Sequence, residues 1–184
     1  LSNDSTWYRG FKCMVIGVEG NVHVGKTTYI EHNFIGYYCI NEIKFVKNLK
    51  DYDRQLYYID EERKKAKLIN SIDGNIVLDR TILSTLIYCF CSQKFSNNEL
   101  LSLNIILSKN ILNKNVCVPN IINFIIYPYD LINVNQKLIG KKKKTQMSLV
   151  DYNYYISYSL FFSNLIHDSY NIINYNNYRQ ILSY

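Results

Sequence analysis

Proline and glycine are scarce in this chain, at two and seven of its 184 residues. So few breakers argue against disordered or low-complexity segments and for regular secondary structure. No stretch reaches the ~18 consecutive apolar residues that a spanning helix needs, so no membrane contact is expected. The five cysteines (Cys13, Cys39, Cys89, Cys91 and Cys117) include no C-x-x-C pair. An odd count without metal-ligand spacing argues against a disulfide framework and fits reduced thiols in the cytoplasm. His23, His32 and His167 show no metal spacing either. The opening segment, Leu1 to Gly10, is polar and does not read as a signal peptide. Arginine is the last scarcity, at five of 21 basic residues. Because arginine is the better fork for phosphate, each one is a candidate for a special role.

What is present is ordinary for one globular domain over residues 1–184, with 48% hydrophobic and 20% charged residues. The net charge of +6 suits a polyanionic ligand such as nucleotide phosphates. Nucleic acid is not expected as a partner, since it asks for a broader basic surface than the single run Lys141 to Lys144. The apolar runs Lys12 to Val18, Tyr37 to Ile40, Ile76 to Leu78, Ile121 to Tyr127 and Asn171 to Tyr175 read as strands. Between them, Gly25 to Asn33, Tyr52 to Ile72, Thr81 to Cys91, Glu99 to Leu112, Asp130 to Ile139 and Ser148 to Asp168 read as helices. This alternation predicts an α/β fold, a five-stranded parallel sheet with helices on both faces. Ligands in such sheets bind at the carboxyl ends of the strands, so the polar residues there are the ones to follow.

After the first strand stands Gly20-Asn21-Val22-His23-Val24-Gly25-Lys26-Thr27, a complete G-x-x-x-x-G-K-[ST] pattern, with Thr28 opening the next helix. Strand, glycine loop and helix together form a phosphate cradle of backbone N–H groups at a helix N-terminus. Lys26 would reach the β/γ-phosphates of ATP, and the Thr27 hydroxyl would hold Mg²⁺. Glu42 follows the second strand, where it is either a solvated loop residue or a base facing the phosphate loop. Asp79 and Arg80 close the third strand. They form either a structural ion pair, or an acid that orients Mg²⁺ and an arginine for transferring phosphates. Lys141 to Lys144 read as a solvated face or as a lid over a triphosphate.

With these residues placed, the chain resembles the deoxynucleoside kinases and, more distantly, the thymidylate kinases. Glu19-Gly20-Asn21 and Gly25-Lys26-Thr27-Thr28 resemble that family's E-G-N-x-x-x-G-K-[ST]-T opening. Ile40-Asn41-Glu42-Ile43 resembles its T-E-P-V segment, and Asp79-Arg80-Thr81 with Ser84 and Tyr88 its E-R-S-x-x-S…Y block. The resemblance implies a three-layer P-loop kinase fold with a short lysine-rich lid near residues 140–147. It implies transfer of the ATP γ-phosphate to a deoxynucleoside 5′-hydroxyl, as in nucleotide salvage, with ATP and Mg²⁺ as cofactors. In that assignment Glu42 is the base, with Lys26 and Arg80 catalytic and Asp79 joining Thr27 at the metal. Gln55 reads the nucleobase, and Lys137, Lys141 and Lys143 occupy the lid arginine positions. A homodimer is the family's common state. A thymidylate kinase, with Arg63 holding the phosphate of dTMP, is the alternative. A catalytically weak nucleotide-binding homologue is a third, because lysine lacks arginine's bidentate geometry.

Overall fold

The computed structural model describes residues 13–20, 24–91, 94–126, the strand at 170–174 and the helical positions Asn153, Ile156, Ser157 and Phe161. In chain order the elements are β1 (Val15–Gly20), α1 (Lys26–Asn33), β2 (Tyr38–Ile40), α2 (Asp51–Ile69), β3 (Ile76–Asp79), α3 (Ile82–Cys91), α4 (Asn97–Leu112), β4 (Ile121–Ile126) and β5 (Tyr170–Asn174). The strands lie in the order β2-β3-β1-β4-β5, and every pairing is parallel. β1 to β4 are described with their side chains, and β5 by backbone register alone.

The central strands are apolar throughout because both of their faces are covered. β1 and β3 are buried at every position. Alternation along the strands then sorts their side chains between two helical layers. Val18, Val77 and Ile125 pack with Val24 and with Tyr29 and Ile30 of α1. On the opposite face Val15, Ile76 and Leu78 pack with Ala66 and Ile69 of α2. Ile122 and Phe124 meet α3 and α4 there through Leu83, Ile87, Leu103 and Leu107. Helices on both faces of a parallel sheet agree with the sequence reading.

Local chemistry starts and stops these elements. α4 opens on a capping box: Ser96 Oγ accepts from Glu99 N, and Glu99 Oε2 accepts from Ser96 N at 2.8 Å. The aliphatic residues of α3 enter the core while its Tyr88 stays exposed, and α4 leaves Leu101, Ile105 and Leu112 exposed. None of the five cysteines is disulfide-bonded, and burial pushes the Cys89 thiol up to about 12. Among the described residues no helix is long and apolar enough to cross a membrane.

β1 and β3 run further than their apolar residues suggest, because Glu19 and Asp79 are buried strand residues. The helix expected over Asp130 to Ile139, the lid near residues 140–147, and Lys137, Lys141 and Lys143 lie outside the described residues.

Close approach explains the glycine in the middle of β1. A Cβ on Gly17 would stand 2.5 Å from Thr81 Cγ2 and 2.9 Å from Pro119 Cγ. Thr81 cannot swing aside freely, since its hydroxyl donates to Glu19 and accepts from Leu83 N. Replacing Gly17 with Ala is therefore expected to destabilise the fold by about 1–3 kcal/mol through overpacking. Urea unfolding measures this, and a variant with the wild-type midpoint would contradict it.

Candidate active site

Sheet order brings the candidate groups together, because β1 lies between β3 and β4 and all three end on one side of the sheet. β1 ends at Gly20, whose φ of 151° belongs to glycine. A Cβ there would also meet the Ile125 carbonyl oxygen at 2.8 Å. Asn21, Val22 and His23 lie outside the described residues. Val24 is buried, and the Gly25 carbonyl accepts the Tyr29 N–H at 2.9 Å as α1 begins. Lys26, the first residue of α1, is buried and donates from Nζ to the Gly20 carbonyl at 3.2 Å. The side chain therefore folds back toward the loop, where a triphosphate would lie. Thr28 is exposed one position beyond Thr27.

Thr27 Oγ1 donates to Asp79 Oδ2 at 3.0 Å, joining α1 to the end of β3. The other oxygen, Asp79 Oδ1, is buried without a hydrogen-bond partner among the described residues. A hydroxyl and a carboxylate are the hard oxygen donors that Mg²⁺ takes together with phosphate and water. The pair fits that ion. Among the described residues no cluster of three or more His, Cys, Asp or Glu is arranged for a metal.

Arg80 turns the corner between β3 and α3 at φ 69°, a left-handed conformation that costs a residue with a side chain about 1–3 kcal/mol. Its surroundings enforce the corner. Arg80 N donates to the Val18 carbonyl at 3.1 Å, and its own carbonyl accepts from Lys65 Nζ at 3.1 Å. The next residue is fixed by Glu19, which is fully buried: Oε1 accepts from Thr81 N and Thr81 Oγ1, both at 2.7 Å. Glu19 Oε2 accepts from Ser84 Oγ at 2.6 Å, and Ser84 Oγ in turn accepts from Arg80 Nη1 at 3.2 Å. The guanidinium then reaches Glu42, with Nε and Oε1 at 2.7 Å. The Glu42 side chain is 51% exposed against 14% for Arg80, so the pair sits at a rim.

Behind that rim lies a cavity of about 260 Å³ lined by Glu42 and Phe45, by Arg54, Gln55, Tyr58 and Glu62 of α2, and by Thr85 and Tyr88 of α3. Gln55 and Glu62 are 1% and 3% exposed, and Gln55 Oε1 and Glu62 Oε2 have no hydrogen-bond partner among the described residues. Arg54 closes one wall: Nε donates to the Val46 carbonyl at 2.9 Å, Nη1 to Asp51 Oδ1 at 2.6 Å, and Nη2 to the Leu49 carbonyl. Its guanidinium also lies 4.7 Å from the Phe45 ring centroid.

Lys26, Thr27 and Asp79 thus gather at the ends of β1 and β3, while Glu42, Arg80 and Gln55 line the cavity. Arg63 does not. It is half-exposed on α2, does not line the cavity, and pairs with Asp60 at 3.7 Å. Reading the sequence misses Arg54 and Glu62; the scarcity of arginine is the one signal that marks the first.

Burial, and next the Arg80 guanidinium, lower Lys26 to about 8, while Asp79, Glu42 and Glu19 oppose the shift. A basic group lowered by folding binds fewer protons than in the unfolded chain above that pH, so the empty fold gains stability from about pH 8 towards 10.5. Triphosphate binding has the opposite sign, because it needs the charged ammonium. ATP affinity is expected to fall as pH rises through about 8, with proton uptake on binding above it. Calorimetry in buffers of different ionisation enthalpy measures both, and an affinity unchanged from pH 7 to about 9.5 would contradict the assignment.

No family model matches the sequence, and no curated protein does. Solved structures do match the fold. A deoxyadenosine kinase from M. mycoides, with the products dCMP and a flexible dCDP bound, is 18% identical with a TM-score of 0.69. The alignment covers 92% of this chain and 96% of that one. The M. mycoides kinase with bound dATP is 17% identical over the same shares, 92% and 96%, with a TM-score of 0.66. A thymidylate kinase from Candida albicans is 16% identical over 88% of this chain and 83% of that one, with a TM-score of 0.57. The resemblance to nucleoside and nucleotide kinases drawn from the motifs thus holds for the fold, which this chain shares over nearly its whole length.

Proposed function

We propose that this protein transfers the γ-phosphate of ATP to the 5′-hydroxyl of a deoxynucleoside. The observation that carries this reading is the Glu42–Arg80 pair, set between the phosphate loop and a cavity floored by Gln55. A carboxylate and a guanidinium at one rim supply the two groups that the transfer asks of the protein there. Glu42 takes the proton of the attacking hydroxyl. Arg80 stands against the charge that develops on the transferring phosphoryl group. In the balance, an O5′–P bond forms, the bond from the γ-phosphorus to the β,γ-bridging oxygen breaks, and the products are ADP and a nucleoside monophosphate.

Lys26 and the loop from Gly20 to Thr28 hold the donor phosphates, and Lys137, Lys141 and Lys143 are assigned to the donor as further cations. Thr27 and Asp79 would hold Mg²⁺, which when bound neutralises charge on the phosphate oxygens. Gln55 presents an amide to the nucleobase edge. The shared fold with kinases that hold deoxynucleotides supports the same reading.

The thymidylate kinase alternative requires a further cation against the acceptor's own phosphate. Arg63 stands outside the cavity, and Arg54 is engaged by Val46, Leu49 and Asp51. This favours an acceptor that arrives without a phosphate.

The test is an acceptor screen of deoxynucleosides and their monophosphates with ATP and Mg²⁺. Nucleosides are the expected acceptors. The Glu42→Gln variant should keep ATP binding and lose about 10²-fold or more in kcat. Turnover confined to monophosphates, or full activity in Glu42→Gln, would overturn the assignment.

A further inference from the structure

We propose that Glu62 selects nucleosides whose base carries an exocyclic amine, of the cytosine or adenine type, over their keto counterparts. The inference rests on the nucleoside-kinase reading above and adds the chemical class of the base. The reacting 5′-hydroxyl has to lie beside Glu42, which is at the exposed rim. The base is then the part of the substrate that reaches the floor, where Gln55 and Glu62 are buried. These two residues are seven apart on α2, two helical turns, and so share one face of the helix.

Gln55 brings an amide, which can donate as well as accept, and Glu62 brings a carboxylate. Gln55 Oε1 and Glu62 Oε2 are both oxygens, and both are buried without a hydrogen-bond partner among the described residues. Glu62 Oε1 is already taken by Lys65 Nζ at 3.0 Å, and the same ammonium donates to the Arg80 carbonyl. Lys65 thereby fixes the carboxylate in place and leaves one oxygen to the cavity. Burial, and after it nearby Glu19, raises the Glu62 carboxyl above its ordinary range, and the Lys65 ammonium opposes that shift. Paired with that ammonium at 3.0 Å, the carboxylate only accepts hydrogen bonds. A base amine would satisfy it. A base carbonyl at the same position would set lone pairs against a buried anion and leave both groups unpaired.

Matched substrate pairs test this without a change of size: deoxycytidine against deoxyuridine, and deoxyadenosine against deoxyinosine. Binding is read by calorimetry, and turnover by kcat/KM with ATP and Mg²⁺. The amine member of each pair is expected to bind and react better by about 10²-fold or more. Glu62→Gln, whose amide can turn a donor to the base, should narrow that ratio to within about tenfold. If that variant does not fold, the double variant Glu62→Met with Lys65→Met removes both buried charges together and should narrow the ratio likewise. Keto nucleosides binding as tightly as amines in the wild type would overturn the inference, as would a ratio that survives either substitution. Amine-selective binding without turnover would sink the kinase reading and uphold the role of Glu62. Turnover without amine preference would do the reverse, and binding of no nucleoside would sink both.

Discussion

The buried carboxylate of Glu19 joins the two halves of the site. It leaves β1 one residue before Gly20 and accepts three hydrogen bonds from Thr81 and Ser84 at the start of α3. The phosphate loop and the corner carrying Arg80 are thereby held at a fixed separation. Glu19 is fully buried, and its three donors offset the loss of water around its charge. The left-handed conformation of Arg80 persists because the carbonyl of Val18 and the ammonium of Lys65 hold its backbone from opposite sides. Removal of the Glu19 carboxylate would leave those donors buried and unpaired, and the corner unsupported.

Around this tie the site alternates charges, from buried Glu19 and Lys26 to Glu42 at the exposed rim. Lys26, Arg80, Asp79, Glu42 and Glu19 influence one another closely enough to shape the titration of Lys26. For the transfer proposed above, fixed dipoles and charges of this kind would lower the cost of moving a phosphoryl group, because little would have to reorient. The same economy appears on the cavity side. Lys65 both buttresses the Arg80 carbonyl and holds one oxygen of Glu62, so a single ammonium links the Arg80 corner to the floor of the cavity.

Much of this was legible before any coordinates. The β1 run, the glycine loop, and the polar residues after β2 and β3 are readable because a parallel sheet delivers its strand ends to one edge. Thr27 bonds Asp79 and Arg80 pairs with Glu42 at that edge, and Gln55 of α2 lines the cavity beside it. What escaped the sequence is the inner face of α2. Asp60 to Lys65 is an unbroken run of charged residues, yet Glu62 and Lys65 are buried while Arg63 faces outward. Helical periodicity locates apolar faces, and it is silent where both faces carry charge. Arg54 escaped for a related reason: its role lies in backbone carbonyls of the preceding loop, which no residue pattern encodes.

The central claim is that the phosphoryl group goes to a nucleoside hydroxyl rather than to water. Phosphorus NMR of a reaction containing the protein, ATP, Mg²⁺ and a deoxynucleoside measures that fate directly. A nucleoside 5′-monophosphate appearing in step with ADP, in equal amount, is the predicted result. ADP accompanied by inorganic phosphate alone, with the nucleoside unchanged, would contradict it.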